Sequence, residues 1–157
     1  MGYYYFMRKK IFIISFIFIS LMCMGATVKN NFSIDVLIML FGREKFHYQV
    51  TNQKVTVIEY FFNSEPTVVR VNRNLTGTEV EGFSTFLAGF PLDALRTKYM
   101  HESIEGEIAF TYKIRINLKY KEIYVYFKNQ KNLTQLNERI NSLLPENIHL
   151  SLKNYEE

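Results

Sequence analysis

Residues 33–62, SIDVLIMLFGREKFHYQVTNQKVTVIEYFF, decide the fold class. Ile34, Val36, Ile38 and Leu40 recur at every second position, so a strand over 33–41 gathers them on one face. Gly42-Arg43-Glu44 reads as a turn. Beyond it Phe46, Tyr48 and Val50 alternate with His47, Gln49 and Thr51, the pattern of a strand buried on one side only. Asn52-Gln53 turns the chain again into 54–62, which is β-branched and aromatic almost throughout. Connections this short join antiparallel neighbours. Ser64-Glu65-Pro66 breaks the run, and 67–73 (TVVRVNR) gives a fourth strand.

Downstream the period changes. Val80, Phe83, Phe86, Leu87 and Phe90 follow helical spacing, and Thr78 with Glu81 has the form of a capping box. Gly89 and Pro91 stop this helix, and Pro91 opens a second short one, PLDALRTKY, with Leu92, Leu95 and Tyr99 on one side. Ile108, Phe110, Tyr112, Ile114 and Ile116 then alternate with polar residues. After a turn over 117–121, Ile123, Val125 and Phe127 alternate with Tyr124 and Tyr126. A last helix starts at Asn132, paired with Gln135 as a second capping pattern, and carries the stripe Leu133, Leu136, Ile140, Leu143 and Leu144. Pro145 ends it, and Ile148, Leu150 and Leu152 close the chain as a short strand. The expected fold is α+β: an antiparallel sheet in the order ββββ-αα-ββ-α-β with helices packed on one face.

The N-terminus reads differently. Arg8-Lys9-Lys10 precedes an apolar run over 11–24 (IFIISFIFISLMCM) and then Gly25-Ala26. A basic start, a short apolar run and small residues at its end make a signal peptide over 1–26, and the run falls short of the roughly 20 residues that span a bilayer. Met7 is the better start of such a signal, which makes residues 1–6 a misassigned extension. Cys23, the single cysteine, allows a lipoprotein reading in which it becomes the lipidated N-terminus. Met22 before it stands where that signal takes a small residue. The other reading is that Cys23 leaves with the signal. Residues 27–157 are then one exported domain without a disulfide. Its charge is nearly balanced, because three of the 19 lysines and arginines stand in the signal and the other 16 face 15 acids. Global charge therefore gives no case for nucleic acid.

One stretch rises above background. Lys113, Arg115, Lys119, Lys121, Lys128 and Lys131 lie close together, interleaved with Tyr120, Tyr124 and Tyr126, with Glu122 the one acid between 113 and 131. Alternation puts Lys113 and Arg115 on one face with Tyr124 and Tyr126, and such a surface stacks on sugars or holds an anionic group. The plainer reading is the solvated side of an amphipathic hairpin. His101, Glu102, Glu105 and Glu107 share one loop, but His-Glu-x-x-Glu without a second histidine is a weak metal pattern. No metal or cofactor is expected. Asp35, Glu59 and Asp93 are carboxylates that a glycosidase would need to bring together. Nucleophile elbows and phosphate-binding glycine loops are absent from the sequence.

From Phe90 onward the stretches PLDALRTKY (91–99), FTYKIRI (110–116), KEIYVYF (121–127) and RINSLLPENI (139–148) resemble small exported bacterial proteins of unknown function. The likeness covers less than half of the mature chain. It implies an envelope location and an α+β fold, and carries over no functional residue. The expectation is a non-enzymatic cell-envelope binding module for protein or glycan, centred on Arg115 and Tyr124, periplasmic or extracellular. Its membrane contact would run through the signal segment or a lipid anchor only. An inhibitor or immunity-type protein and an envelope-polymer hydrolase are the alternatives.

Overall fold

A computed structural model describes residues 31–61, 67–100, 108–126 and 130–150. Its strands are β1 (Phe32–Leu40), β2 (Arg43–Thr51), β3 (Lys54–Glu59), β4 (Val68–Asn74), β5 (Lys98–Met100), β6 (Ile108–Ile116) and β7 (Lys119–Tyr126). They form one sheet in the order β4-β3-β2-β1-β6-β7-β5, so β1 lies at its centre. Two helices, α1 (Gly77–Ala88) and α2 (Lys131–Asn141), complete the α+β fold.

Both helices cover the same side. Phe32, Ile34, Val36 and Ile38 of β1 are buried, as are Tyr112, Ile114, Ile123 and Val125 on the neighbouring strands. Against them α1 sets Phe83, stacked on Phe32 at 5.2 Å between centroids. From α2, Asn137 Nδ2 donates to the buried Tyr112 hydroxyl at 3.0 Å. Each large apolar side chain enclosed here contributes on the order of 1.5–3 kcal/mol. The helices approach closely where Gly82 leaves room for the Arg139 guanidinium, which lies 6.0 Å from the Phe83 ring centroid.

Several expectations are corrected. The sheet is mixed, because β5 runs parallel to β7 while the other pairs are antiparallel. The expected helix over PLDALRTKY is a single 3-10 turn at Leu92–Ala94 followed by β5. Lys121 Nζ donates to the carbonyls of Leu92 and Asp93, both at 3.1 Å, and to that of Leu95. That grip closes the turn after one winding, and the Tyr124 N–H then pairs with the Thr97 carbonyl at 2.9 Å. The α1 cap is Thr76 with Glu79, two residues before the expected pair. For α2 the cap is Gln130, whose side chain accepts from the Leu133 N–H at 2.7 Å. The β1–β2 turn is Phe41-Gly42 and the β6–β7 turn is Asn117-Leu118, both tighter than expected. The expected closing strand is instead a 3-10 turn at Glu146–Ile148, and Leu152 lies outside the described residues. So does the expected signal segment, with Cys23. Among the described residues no helix is long and apolar enough to cross a membrane.

Two β-bulges interrupt the ladder. Ile38 pairs with Phe46 but Met39 with Glu44, which leaves Lys45 as an extra residue on β2. Val57 pairs with Val71 but Ile58 with Val69, which leaves Arg70 as an extra residue on β4. A bulge re-aims the side chain it carries. Both cations reach Glu59, Lys45 Nζ at 2.9 Å and Arg70 Nε at 2.7 Å.

Candidate functional site: the outer sheet face

Alternation leaves the second face of the sheet outside the helix layer. Strand pairing arranges its side chains in cross-strand rows. One row runs Thr56, Gln49, Asp35, Lys113, Glu122 from β3 to β7. The next runs Ile58, His47, Leu37, Thr111, Tyr124 and ends on Lys98 of β5. Beyond the first lie Thr51, Ser33, Arg115 and Tyr120. Met100 pairs with Tyr126 at the β5 edge.

The five residues singled out from sequence, Lys113, Arg115, Tyr120, Tyr124 and Tyr126, thus share one face. Tyr120 is 53% and Tyr124 39% exposed. Arg115 lies 5.5 Å from the Tyr120 ring centroid, within cation–π range. Tyr126 is half-buried, with Lys98 Nζ 6.0 Å from its ring centroid. Lys113 stands beside Asp35 in its row and 4.0 Å from Glu122. A hydrogen bond to Glu122, with a little desolvation, pushes the Tyr124 hydroxyl above its ordinary range.

The expected cationic cluster divides between two sides. Lys119 pairs with Asp93, and Lys121 holds the 3-10 turn, both away from this face. Lys131 opens α2, and Lys128 lies outside the described residues. What remains is a mixed-charge surface with tyrosines and Met100, itself 45% exposed. Sequence reasoning missed Lys98 because it placed it on a helix, and Met100 because it placed it in the loop that follows.

It also missed a polar network beside the patch. Asp35 Oδ1 lies 2.8 Å from His47 Nε2 and accepts from Gln49 Nε2 at 3.1 Å, while Ser33 Oγ donates to Oδ2 at 3.4 Å. Burial pushes the Asp35 carboxyl up, but these hydrogen bonds and the His47 charge outweigh it and hold it below its ordinary value. A lone carboxylate alternating with Ile34 and Val36 was the available signal.

The carboxylates proposed for hydrolysis do not converge. Asp35 is on the outer face. Glu59 is on the helix side, opposite Phe46, and both its oxygens are engaged by Lys45 and Arg70. Burial raises its pKa, yet the two cations bring it below the ordinary carboxylate range. Asp93 is held by Lys119 at a third location. His149 shares a hollow of about 420 Å³ with Glu59, and its Nε2 lies 3.2 Å from the Leu144 carbonyl. The loop with His101, Glu102, Glu105 and Glu107 lies outside the described residues. Among the described residues no three His, Cys, Asp or Glu side chains gather as a metal site.

A larger cleft, about 1400 Å³, opens at the end of the sheet where α1 meets the β2–β3 and β6–β7 turns. Its lining includes Val80, Leu87, Phe90, Leu92 and Ile116, and Asn52, Gln53, Asn74 and Asn117 also border it.

No protein-family model matches the chain, and no curated protein matches its sequence.

Proposed function

We propose that the chain is a non-enzymatic, exported binding module of the cell envelope that engages a protein partner through its outer sheet face. The observation that supports this reading most is the run of exposed Tyr120, Tyr124, Met100 and Arg115 along the β6–β7–β5 side. Tyrosine, methionine and arginine are the residues enriched in protein interfaces. The face carries both charge signs interspersed, which suits a protein surface better than an anionic polymer. Tyr120 and Tyr124 stand four residues apart on one strand, about 13 Å. That spacing makes two separate anchors rather than one sugar-stacking platform.

Site-specific photo-cross-linking in the native cell tests the proposal. A benzophenone side chain at Tyr120 or Tyr124 is expected to give one discrete protease-sensitive adduct in the envelope fraction. The same group at Glu138, exposed on α2, is expected to give none. Arg115→Ala should weaken the Tyr124 adduct at least fivefold. An adduct that resists protease and is shortened by glycosidases would replace the protein with a glycan. Equal labelling from both faces, or none from either tyrosine, would discard the outer face as the binding surface.

A further inference from the structure

We infer that the end of the molecule carrying the large cleft faces the bilayer, and that the cleft takes an acyl chain of a membrane lipid. This rests on the export reading, which is what brings residues 11–24 to a membrane. The described residues begin at a defined place. The Asn31 N–H donates to Asn117 Oδ1 at 3.0 Å, and the Asn117 N–H donates to the Asn31 carbonyl at 2.7 Å. Asn117 belongs to the β6–β7 turn, and that turn borders the cleft. Only residues 25–30 separate Asn31 from the apolar run, a reach of at most about 20 Å. Any membrane attachment through that run or through Cys23 therefore holds this end within a few nanometres of the lipid.

The chemistry of that end agrees with its position. Leu118, at the tip of the turn and lining the cleft, is fully exposed. The cleft is larger than the roughly 300–1,000 Å³ of a typical small-molecule site. Its accessible apolar lining, from Leu75, Phe90, Pro91 and Leu118 over the buried core, meets neutral carboxamides at Asn52, Gln53 and Asn74. An acyl chain below a glycerol ester has the same sequence of apolar body and neutral polar junction. Of the charged lining residues, Asp93 and Lys119 pair with each other and exposed Glu81 adds one negative charge, so a neutral or zwitterionic headgroup should be preferred over an anionic one.

The protein isolated from its native envelope is examined by native mass spectrometry, then stripped of lipid and titrated with cis-parinaric acid. The expected result is a one-to-one adduct of lipid mass, and saturable one-site binding of the fluorescent fatty acid after stripping. Thr85→Trp, at an exposed helix position bordering the cleft, should weaken binding at least tenfold with an unchanged melting temperature. Leu118→Asp should reduce flotation with phosphatidylethanolamine/phosphatidylglycerol vesicles at least threefold with an unchanged melting temperature. Binding indifferent to Thr85→Trp overturns the inference. So does binding that appears only when residues before Thr27 are removed, since the chain's own apolar run would then be the occupant. Binding in vitro by a protein found unprocessed in the cytosol would sink the export reading and leave the cleft's ligand standing. An exported protein that binds no fatty acid sinks the inference alone.

Discussion

Phe41 and Gly42 both have positive φ, 50° and 73°, in the two-residue turn between β1 and β2. Two left-handed residues match the twist of a hairpin, but a phenylalanine there works against its own Cβ. Phe41 is also 63% exposed, so little packing offsets the strain. Phe41→Asn is expected to stabilise the protein by about 1 kcal/mol, and Gly42→Ala to destabilise it by about as much, read from urea midpoints. Glu59 shows the opposite case, a residue held by everything around it. Glu59→Ala leaves Lys45 and Arg70 facing each other without an anion and should cost about 2 kcal/mol by urea unfolding. Both cations are partly solvated, which keeps the loss below that of a fully buried pair. None of this was legible beforehand. The alternation marked Phe46, Tyr48 and Val50 correctly, but a bulge adds one residue without any change of composition, so the aim of Lys45 and Arg70 was hidden.

Elements were legible where hydrophobic period dominated and ambiguous where two local signals overlapped. Thr76-x-x-Glu79 and Thr78-x-x-Glu81 both fit the capping pattern, and propensity does not separate them. A tertiary contact does. The Arg73 guanidinium holds both Glu79 oxygens, at 2.7 and 3.1 Å, and donates to the Leu143 carbonyl at 2.9 Å, which fixes the earlier register. Thr76→Ala should therefore cost about 1 kcal/mol and Thr78→Ala almost nothing, measured by thermal unfolding. Hydrogen bonding from Arg73 and the Thr76 N–H lowers the Glu79 pKa from 4.5 to about 2. A carboxylate with a depressed folded-state pKa binds more protons when unfolded. Its stabilisation is thus complete above about pH 4.5 and fades as the pH falls toward 2. Glu79→Gln should flatten that part of the stability–pH curve, while Asp35 and Glu59, also depressed, keep some slope. The β5 segment shows the reverse failure. Leu92, Leu95 and Tyr99 kept helical spacing, but carbonyls claimed by Lys121 and a free β7 edge made a strand of its second half.

At the scale of the whole molecule, the outer face was half legible. Alternation grouped Lys113, Arg115, Tyr124 and Tyr126, while Tyr120, read as part of the turn, joins them because β7 starts at Lys119. The patch's mix of charges was not legible, because Asp35 and Lys98 reach it from strands distant in sequence. The contact of α2 with β6 makes a further prediction: Tyr112→Phe, which removes the partner of the buried Asn137 amide, should destabilise by about 1–3 kcal/mol. Tyr112→Phe combined with Asn137→Leu should recover much of that loss in a double-mutant cycle. The position of β1 has its own consequence. The first of the described strands is the middle of the sheet, and its second neighbour, β6, arrives some seventy residues later. Hairpins β1–β2 and β3–β4 can close locally, but one side of β1 waits until nearly three-quarters of the chain has been made. Folding of this topology is slow, and a polypeptide cut short before Ile108 presents a bare central edge that favours self-association. A late-closing centre also keeps the polypeptide threadable for longer, which would suit passage through a narrow translocation pore under the proposed export.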